Sequence, residues 1–140
     1  MTKLMLLLAG AIAGGLAALS IQLACPSHAA DVTYVRTDWG LRCVVTDYDQ
    51  VEGAPLATCE LPSLGQDLAQ VGAAGDFKWN TGNIGGVGVG WDKTDTHLAT
   101  GQTYHFDGWT LTPTSAGLKI RWDVTGHGMS VSPSGNVQSF

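Results

Sequence analysis

Histidines and aspartates in the second half of the chain are the side chains best suited to acid–base or metal chemistry. His97 and His105 lie near Asp92, Asp95 and Asp107 in the sequence. Imidazole and carboxylate groups are common zinc ligands, but the eight-residue spacing of the two histidines matches no established ligand motif. The pattern therefore predicts neither a metal nor another cofactor.

His127 is a second candidate for acid–base chemistry, because it stands between Gly126 and Gly128 on a segment that breaks the strand pattern. Flanking glycines indicate a close backbone approach or a positive φ angle, so a structural role in a turn is favoured over catalysis. No nucleophile motif of the Gly-x-Ser-x-Gly type accompanies it. An exported hydrolase or metal-dependent enzyme that uses His127 or His105 with a nearby aspartate stays open as the alternative function.

The five tryptophans offer a different kind of chemistry, since an indole beside polar side chains can stack on a sugar ring. Trp109 and Trp122 alternate with polar residues and are expected in the core. Trp39 in a turn and Trp91 after a glycine run are expected to be exposed. With His127, they are the predicted ligand-contact residues.

The amino-terminal segment has the pattern of a secretory signal peptide. Lys3 precedes an uncharged apolar stretch over residues 4–24, and Ser27-His28-Ala29 provides small residues around a cleavage site. The sequence thus predicts a signal peptide over residues 1–29, in helical conformation, and one β domain over residues 30–140. The product would be secreted, with cell-wall association left open.

Two other interpretations of this segment are less favoured. Cys25 suggests a lipid anchor, but Gln22 and Leu23 put the expected motif one residue out of frame. An uncleaved membrane anchor would be long enough to span a bilayer, although glycines and Gln22 interrupt it. We therefore expect the chain to contact the membrane only during export, through its signal peptide.

The net charge and the cysteine content restrict the possible ligands and indicate a covalent crosslink. Without residues 1–29 the chain has six basic and twelve acidic residues, a net charge of −6. Such a chain lacks the basic surface that nucleic acids require. Cys43 and Cys59 remain as a pair 16 residues apart, and an even pair in an exported protein indicates one disulfide.

The distribution of β-branched, aromatic and turn-forming residues predicts an all-β fold. Seven or eight short antiparallel strands are expected, arranged as a small sandwich or a partly open barrel. Residues 62–74 are expected to be irregular, with at most one helical turn over residues 66–71. The glycine-rich stretch at residues 81–91 lacks the Gly-Lys-Ser/Thr ending of a phosphate loop and is expected to be a loop or strand.

The clearest local pattern is a hairpin near the carboxyl end. Leu118, Ile120, Trp122 and Val124 alternate with polar residues, which is typical of a half-buried strand. The preceding arm, residues 108–112, has the same alternation, and Pro113 to Gly117 supplies the turn. The register that follows places Leu111 and Ile120 opposite each other.

Several short motifs resemble a family of small exported actinobacterial, mycobacterial-type proteins of unknown function. They are Gly40-Leu41-Arg42-Cys43, Thr58-Cys59-Glu60, Gly108-Trp109-Thr110, Gly117-Leu118 and the ending Thr125-Gly126-His127-Gly128-Met129. The resemblance implies a shared fold and no particular activity. It departs at Leu111 and Ile120, where that family has a second cysteine pair, and so implies that the two are cross-strand neighbours.

Taken together, the residues favour a secreted non-enzymatic β module. Its expected partner is a ligand or protein at the cell envelope or outside the cell, such as an envelope polysaccharide. The enzymatic alternative differs in one testable respect: it needs a histidine and a carboxylate to converge in one pocket.

Overall fold

The computed structural model describes residues 30–61, 67–85 and 95–140, and within these ranges the regular elements are all strands. Eleven strands are present. They are β1 (Val32–Thr37), β2 (Arg42–Asp49), β3 (Ala54–Leu61), β4 (Asp67–Gly72), β5 (Phe77–Thr81), β6 (Thr96–Leu98), β7 (Tyr104–Phe106), β8 (Trp109–Thr114), β9 (Gly117–Trp122), β10 (Gly128–Val131) and β11 (Val137–Ser139). The all-β prediction is confirmed.

The strands form two sheets. The first has six strands in the order β5-β4-β3-β2-β1-β6, and the second has five in the order β11-β10-β9-β8-β7. All pairs are antiparallel except β1 with β6, which run parallel. The predicted count of seven or eight strands is too low, and the partly open barrel is wrong, because the two sheets do not close onto each other.

Both sheets contribute to one hydrophobic core. Val35, Val45 and Val71 of the first sheet and Leu111 and Ile120 of the second are at most 1% exposed and belong to the same cluster. These positions follow the two-residue period of a strand, so each strand presents alternate side chains to the core. Burial of each such side chain contributes roughly 1.5–3 kcal/mol.

Cys43 and Cys59 face each other across the hairpin of β2 and β3. They are directly paired in the register, their Cα atoms are 4.1 Å apart, and the sulfur atoms lie at disulfide distance. Both side chains are fully buried in the core. The disulfide therefore joins two neighbouring strands of one hairpin and does not connect the two sheets.

The predicted hairpin of β8 and β9 is confirmed, with Leu111 directly opposite Ile120 and both fully buried. Its turn is shorter than predicted, because Pro113 and Gly117 are paired within the strands and only Ser115 and Ala116 connect them. The end of the hairpin away from its turn differs from the prediction, since the alternation extends to Val124 whereas β9 ends at Trp122. Val124 follows in a turn and is 83% exposed. Alternation beyond Trp122 is therefore coincidental, because the chain has already left the sheet.

A second correction concerns the described part of residues 62–74, for which the sequence predicts irregular structure with at most one helical turn. Residues 67–72 form β4, which lies between β3 and β5. Ala69 and Val71 point to the core and are fully buried, whereas the outward Gln70 donates a hydrogen bond of 3.0 Å to Thr58 Oγ1. Pairing on both sides thus decides the conformation of a segment whose local pattern is weak.

The turn between β7 and β8 consists of Asp107 and Gly108, both with positive φ, at 52° and 85°. This combination is typical of a type I′ hairpin turn, for which Asp-Gly is a favoured pair. The Asp107 carboxylate also accepts a 2.6 Å hydrogen bond from the Thr33 hydroxyl in the first sheet. The turn therefore helps to fix one sheet against the other.

Two predictions concern residues outside the described ranges: the signal peptide over residues 1–29 and most of the glycine-rich stretch. Among the residues that are described, no helix is long and apolar enough to span a bilayer.

Candidate functional site

The predicted ligand-contact residues lie apart in the structure. Trp39 is in the turn between β1 and β2, half-buried against the core instead of exposed. His127 lies between β9 and β10, where its ring covers Gly75 in the turn between β4 and β5. Because successive strands of the first sheet are antiparallel, these two turns are at opposite ends of it. Trp91 is outside the described residues.

His127 is exposed and contacts mainly backbone. Its Nδ1 atom is 3.2 Å from the carbonyl oxygen of Phe140, and its backbone N–H donates to Thr125 Oγ1 at 3.3 Å. A Cβ atom on Gly75 would come within 2.8 Å of the imidazole, so glycine is required beneath the ring. These contacts are consistent with the structural role that the sequence favoured.

His105 belongs to a chain of hydrogen bonds on the outer face of the second sheet. Its Nδ1 atom is 3.0 Å from Thr110 Oγ1, and the Thr110 hydroxyl donates to Asp123. A hydroxyl has one proton, which here goes to the carboxylate, so Nδ1 of His105 must be the donor to Thr110. The acceptor nitrogen of a neutral His105 is therefore Nε2.

Asp92 lies outside the described residues, whereas Asp95 and His97 have structural partners. Asp95 is almost fully buried, and its carboxylate accepts hydrogen bonds from Arg42 at 2.7 and 3.0 Å and from Arg36 at 3.2 Å. Burial alone would raise the pKa of Asp95, but these arginines outweigh it and the pKa is lowered. His97 Nε2 lies 2.7 Å from the Asp38 carboxylate. The described residues contain no group of three side chains suited to hold a metal.

Among the described tryptophans, the exposed one is Trp79, on edge strand β5. Trp79 is paired with the buried Ala69 and so lies on the core-facing side of the first sheet. β10 of the second sheet packs against β4, one strand in from the edge. The Trp79 side chain, beyond that contact, is 50% exposed.

Trp79 borders a shallow depression of about 240 Å³ that is also lined by Asp67, Asn80 and Thr81. Asp67 and Thr81 are directly paired, so they share the face of Trp79. No hydrogen bond of the Asp67 carboxylate to another described residue is found. The depression thus combines an aromatic surface with an available carboxylate acceptor.

The neighbours of Trp79 restrict its movement. The Phe77 ring packs edge-on against the indole, with centroids 5.6 Å apart and planes at 88°. On the opposite face, the Asn80 amide donates a hydrogen bond of 3.1 Å to the Gln70 side chain, which in turn donates a hydrogen bond to Thr58. These contacts hold β5 in register, so the exposed indole surface is formed before any ligand binds.

The sequence contained a partial signal for this site. Phe77-Lys78-Trp79 has the aromatic content that is typical of a strand, and Trp79 has polar neighbours at Asn80 and Thr81. What the sequence lacks is the strand order, and only the edge position of β5 exposes Trp79.

Comparison of the chain with protein-family models, curated proteins and solved structures found no match.

Proposed function

We propose that the protein is an exported, non-enzymatic β module that binds saccharide at the cell envelope or outside the cell. The observation that carries this proposal is the half-exposed Trp79 beside the Asp67 carboxylate. The apolar face of a pyranose ring stacks on an indole, while its hydroxyl groups donate hydrogen bonds to a carboxylate. A residue with both a large apolar surface and a fixed orientation supplies such stacking at low entropic cost.

Export rests on the amino-terminal pattern and is compatible with the buried cysteine pair. A disulfide in a small β domain is typical of proteins outside the reducing cytosol. Amino-terminal sequencing of protein recovered from the medium should begin at Ala30 or within two residues of it. A mature form that retains Cys25 with an attached lipid would contradict cleavage at this place.

Saccharide binding is tested with Trp79→Ala and a matched control. The mature protein is incubated with insoluble cell-wall polysaccharide and, separately, with membrane fractions, and the bound fraction is measured. Tyr48→Ala is the control, because Tyr48 is also an exposed aromatic residue of the first sheet, at 45% exposure. We expect the polysaccharide to retain the wild type and Tyr48→Ala, and Trp79→Ala to bind at least about tenfold more weakly, since aromatic anchors commonly dominate binding.

Equal retention of Trp79→Ala and the wild type would contradict a binding site at Trp79. Retention by membranes alone would contradict a saccharide ligand. Soluble oligosaccharide should also quench Trp79 fluorescence in the wild type, which separates direct stacking from a loss of fold.

The second candidate function is a hydrolase, and the hydrogen-bonded series of His105, Thr110 and Asp123 is the observation that favours it. In this arrangement Nε2 of His105 would act as a general base toward a bound water. Ester and glycoside substrates should then be turned over by the wild type and not by His105→Gln, with equal stability of the two proteins. Activity that survives His105→Gln would contradict this candidate.

A further inference from the structure

A groove of about 470 Å³ lies on the outer face of the second sheet, away from Trp79. Its floor is a row of four residues that are directly paired across four strands: Thr112, Lys119, Ser130 and Gln138. Thr112, Lys119 and Ser130 each lie next to a buried residue on their own strand, and Gln138 lies next to Val137, which is partly buried against the core. All four side chains therefore point away from the core. With adjacent strands about 4.8 Å apart, the row is roughly 14 Å long.

The polar atoms of this row are available to a ligand. The side chains of Thr112, Ser130 and Gln138 make no hydrogen bond with the described part of the chain. One wall of the groove is already held in place, since the side chains of Ser132 and Asn136 both hydrogen-bond to the Ser134 hydroxyl in the turn between β10 and β11. The groove therefore offers several hydroxyl and amide groups on a preorganised surface, which is suited to a hydroxyl-rich ligand.

Lys119 gives the groove its charge. Among the described residues that line it, Lys119 is the only charged one, although the whole protein has a net charge of −5. Its ammonium group lies 4.9 Å from the centroid of the Phe140 ring and forms no ion pair with the described residues. The next outward cation on β9, Arg121, is instead 3.8 Å from Asp123. The cation–π contact orients the Lys119 ammonium without neutralising it.

We infer that this groove is a binding site for an extended acidic saccharide, with Lys119 pairing with a carboxylate, sulfate or phosphate group on the sugar. Thr112, Ser130 and Gln138 hydrogen-bond to the sugar hydroxyl groups along the row. A cation surrounded by neutral donors and acceptors, with no lining carboxylate, is complementary to this chemistry. The site is separate from the Trp79 depression, which lies on the other sheet and contains a carboxylate.

The test uses the mature protein and two polymers with the same backbone. Polygalacturonate is the acidic probe, and its fully methyl-esterified form is the neutral control. Binding is measured by isothermal titration calorimetry at two salt concentrations. The variants are Lys119→Gln and Thr112→Val, and Lys78→Gln is the control because Lys78 is an exposed lysine on the other sheet. Unfolding midpoints are measured for every variant.

We expect polygalacturonate to bind and the methyl-esterified polymer to bind much more weakly. Lys119→Gln should weaken polygalacturonate binding about tenfold or more and reduce its salt dependence. Thr112→Val should weaken it a few-fold, and Lys78→Gln should leave it unchanged. Competition by galacturonate monomer, sulfate and inorganic phosphate then ranks the three acid groups.

Three results would overturn the inference: no binding of polygalacturonate, equal binding of the esterified polymer, or equal losses in Lys119→Gln and Lys78→Gln. If Trp79→Ala alone weakened polygalacturonate binding, the binding site would lie on the other sheet. Retention by insoluble cell-wall polysaccharide, which depends on Trp79, is measured separately, so failure of one site is distinguishable from failure of the other.

Discussion

The indole nitrogen of Trp109 in β8 donates a 3.0 Å hydrogen bond to the backbone carbonyl of Thr46 in β2. Trp109 is fully buried, and its ring contacts Trp122 with centroids 5.1 Å apart. This bond joins the two sheets through a side chain that also fills the core. A tryptophan in such a position is able to satisfy both the packing and the polar requirements of a buried site.

Trp109→Phe should destabilise the protein by about 2–4 kcal/mol, since it removes core volume and leaves the Thr46 carbonyl without this donor. Urea unfolding followed by circular dichroism measures the change. Trp122→Phe is the matched control, because Trp122 is only partly buried and makes no hydrogen bond across the sheets. A cost for Trp109→Phe no larger than for Trp122→Phe would contradict the role of this bond.

Leu111→Cys combined with Ile120→Cys should form a second disulfide without disturbing the fold, because the two residues are directly opposed and fully buried. Mass spectrometry under non-reducing conditions should find the two peptides linked. Ile120→Asp should unfold the protein, as it buries an unpaired charge. Ile120→Val, expected to cost about 1 kcal/mol, shows whether the site tolerates a conservative change.

Non-reducing peptide mapping of native protein should link Cys43 to Cys59. Removing the crosslink, by Cys43→Ala with Cys59→Ala, should lower the free energy of unfolding by roughly 3 kcal/mol, the amount that a loop of this length provides. Two freely alkylatable thiols in the native protein would contradict the bond. No measurable change in stability would contradict the stabilising role of the crosslink.

Acid should destabilise the protein through Asp95, whose folded-state pKa is lowered from 3.8. Because the folded pKa is below the unfolded one, the stabilisation is fully present above about pH 3.8 and is lost as the pH falls through the folded value. Asp95→Asn should cost about 3 kcal/mol at neutral pH, since Arg42 loses its buried partner. In that variant the fall in stability below pH 3.8 should be smaller than in the wild type. If the two proteins lose stability equally in acid, the loss is due to other carboxylates.

His127→Ala should lower stability by at most about 1 kcal/mol, because the imidazole is exposed and its contacts are with backbone and Gly75. Retention of the variant by polysaccharide should equal that of the wild type. A specific hydrolytic activity that disappears in folded His127→Ala protein would contradict the non-enzymatic interpretation.

The sequence by itself determined the strand character of the chain, the cysteine partners and the β8–β9 hairpin. These features depend on local alternation, on the turn-forming residues within the segment Pro113 to Gly117, and, for the cysteines, on there being a single possible partner once residues 1–29 are removed. The opposed positions of Leu111 and Ile120 followed from the turn length, because the register of a hairpin is a local property.

Only the tertiary structure decided which strands are central and which lie at the edges. β4 is a strand because it is paired on both sides, and Trp79 is exposed because β5 pairs with β4 alone among the described strands. Likewise, the row from Thr112 to Gln138 exists because four strands align their outward residues. Strand order depends on contacts distant in the chain, and a two-residue alternation is the same in a central strand as in an edge strand, so the sequence pattern could not locate either candidate site.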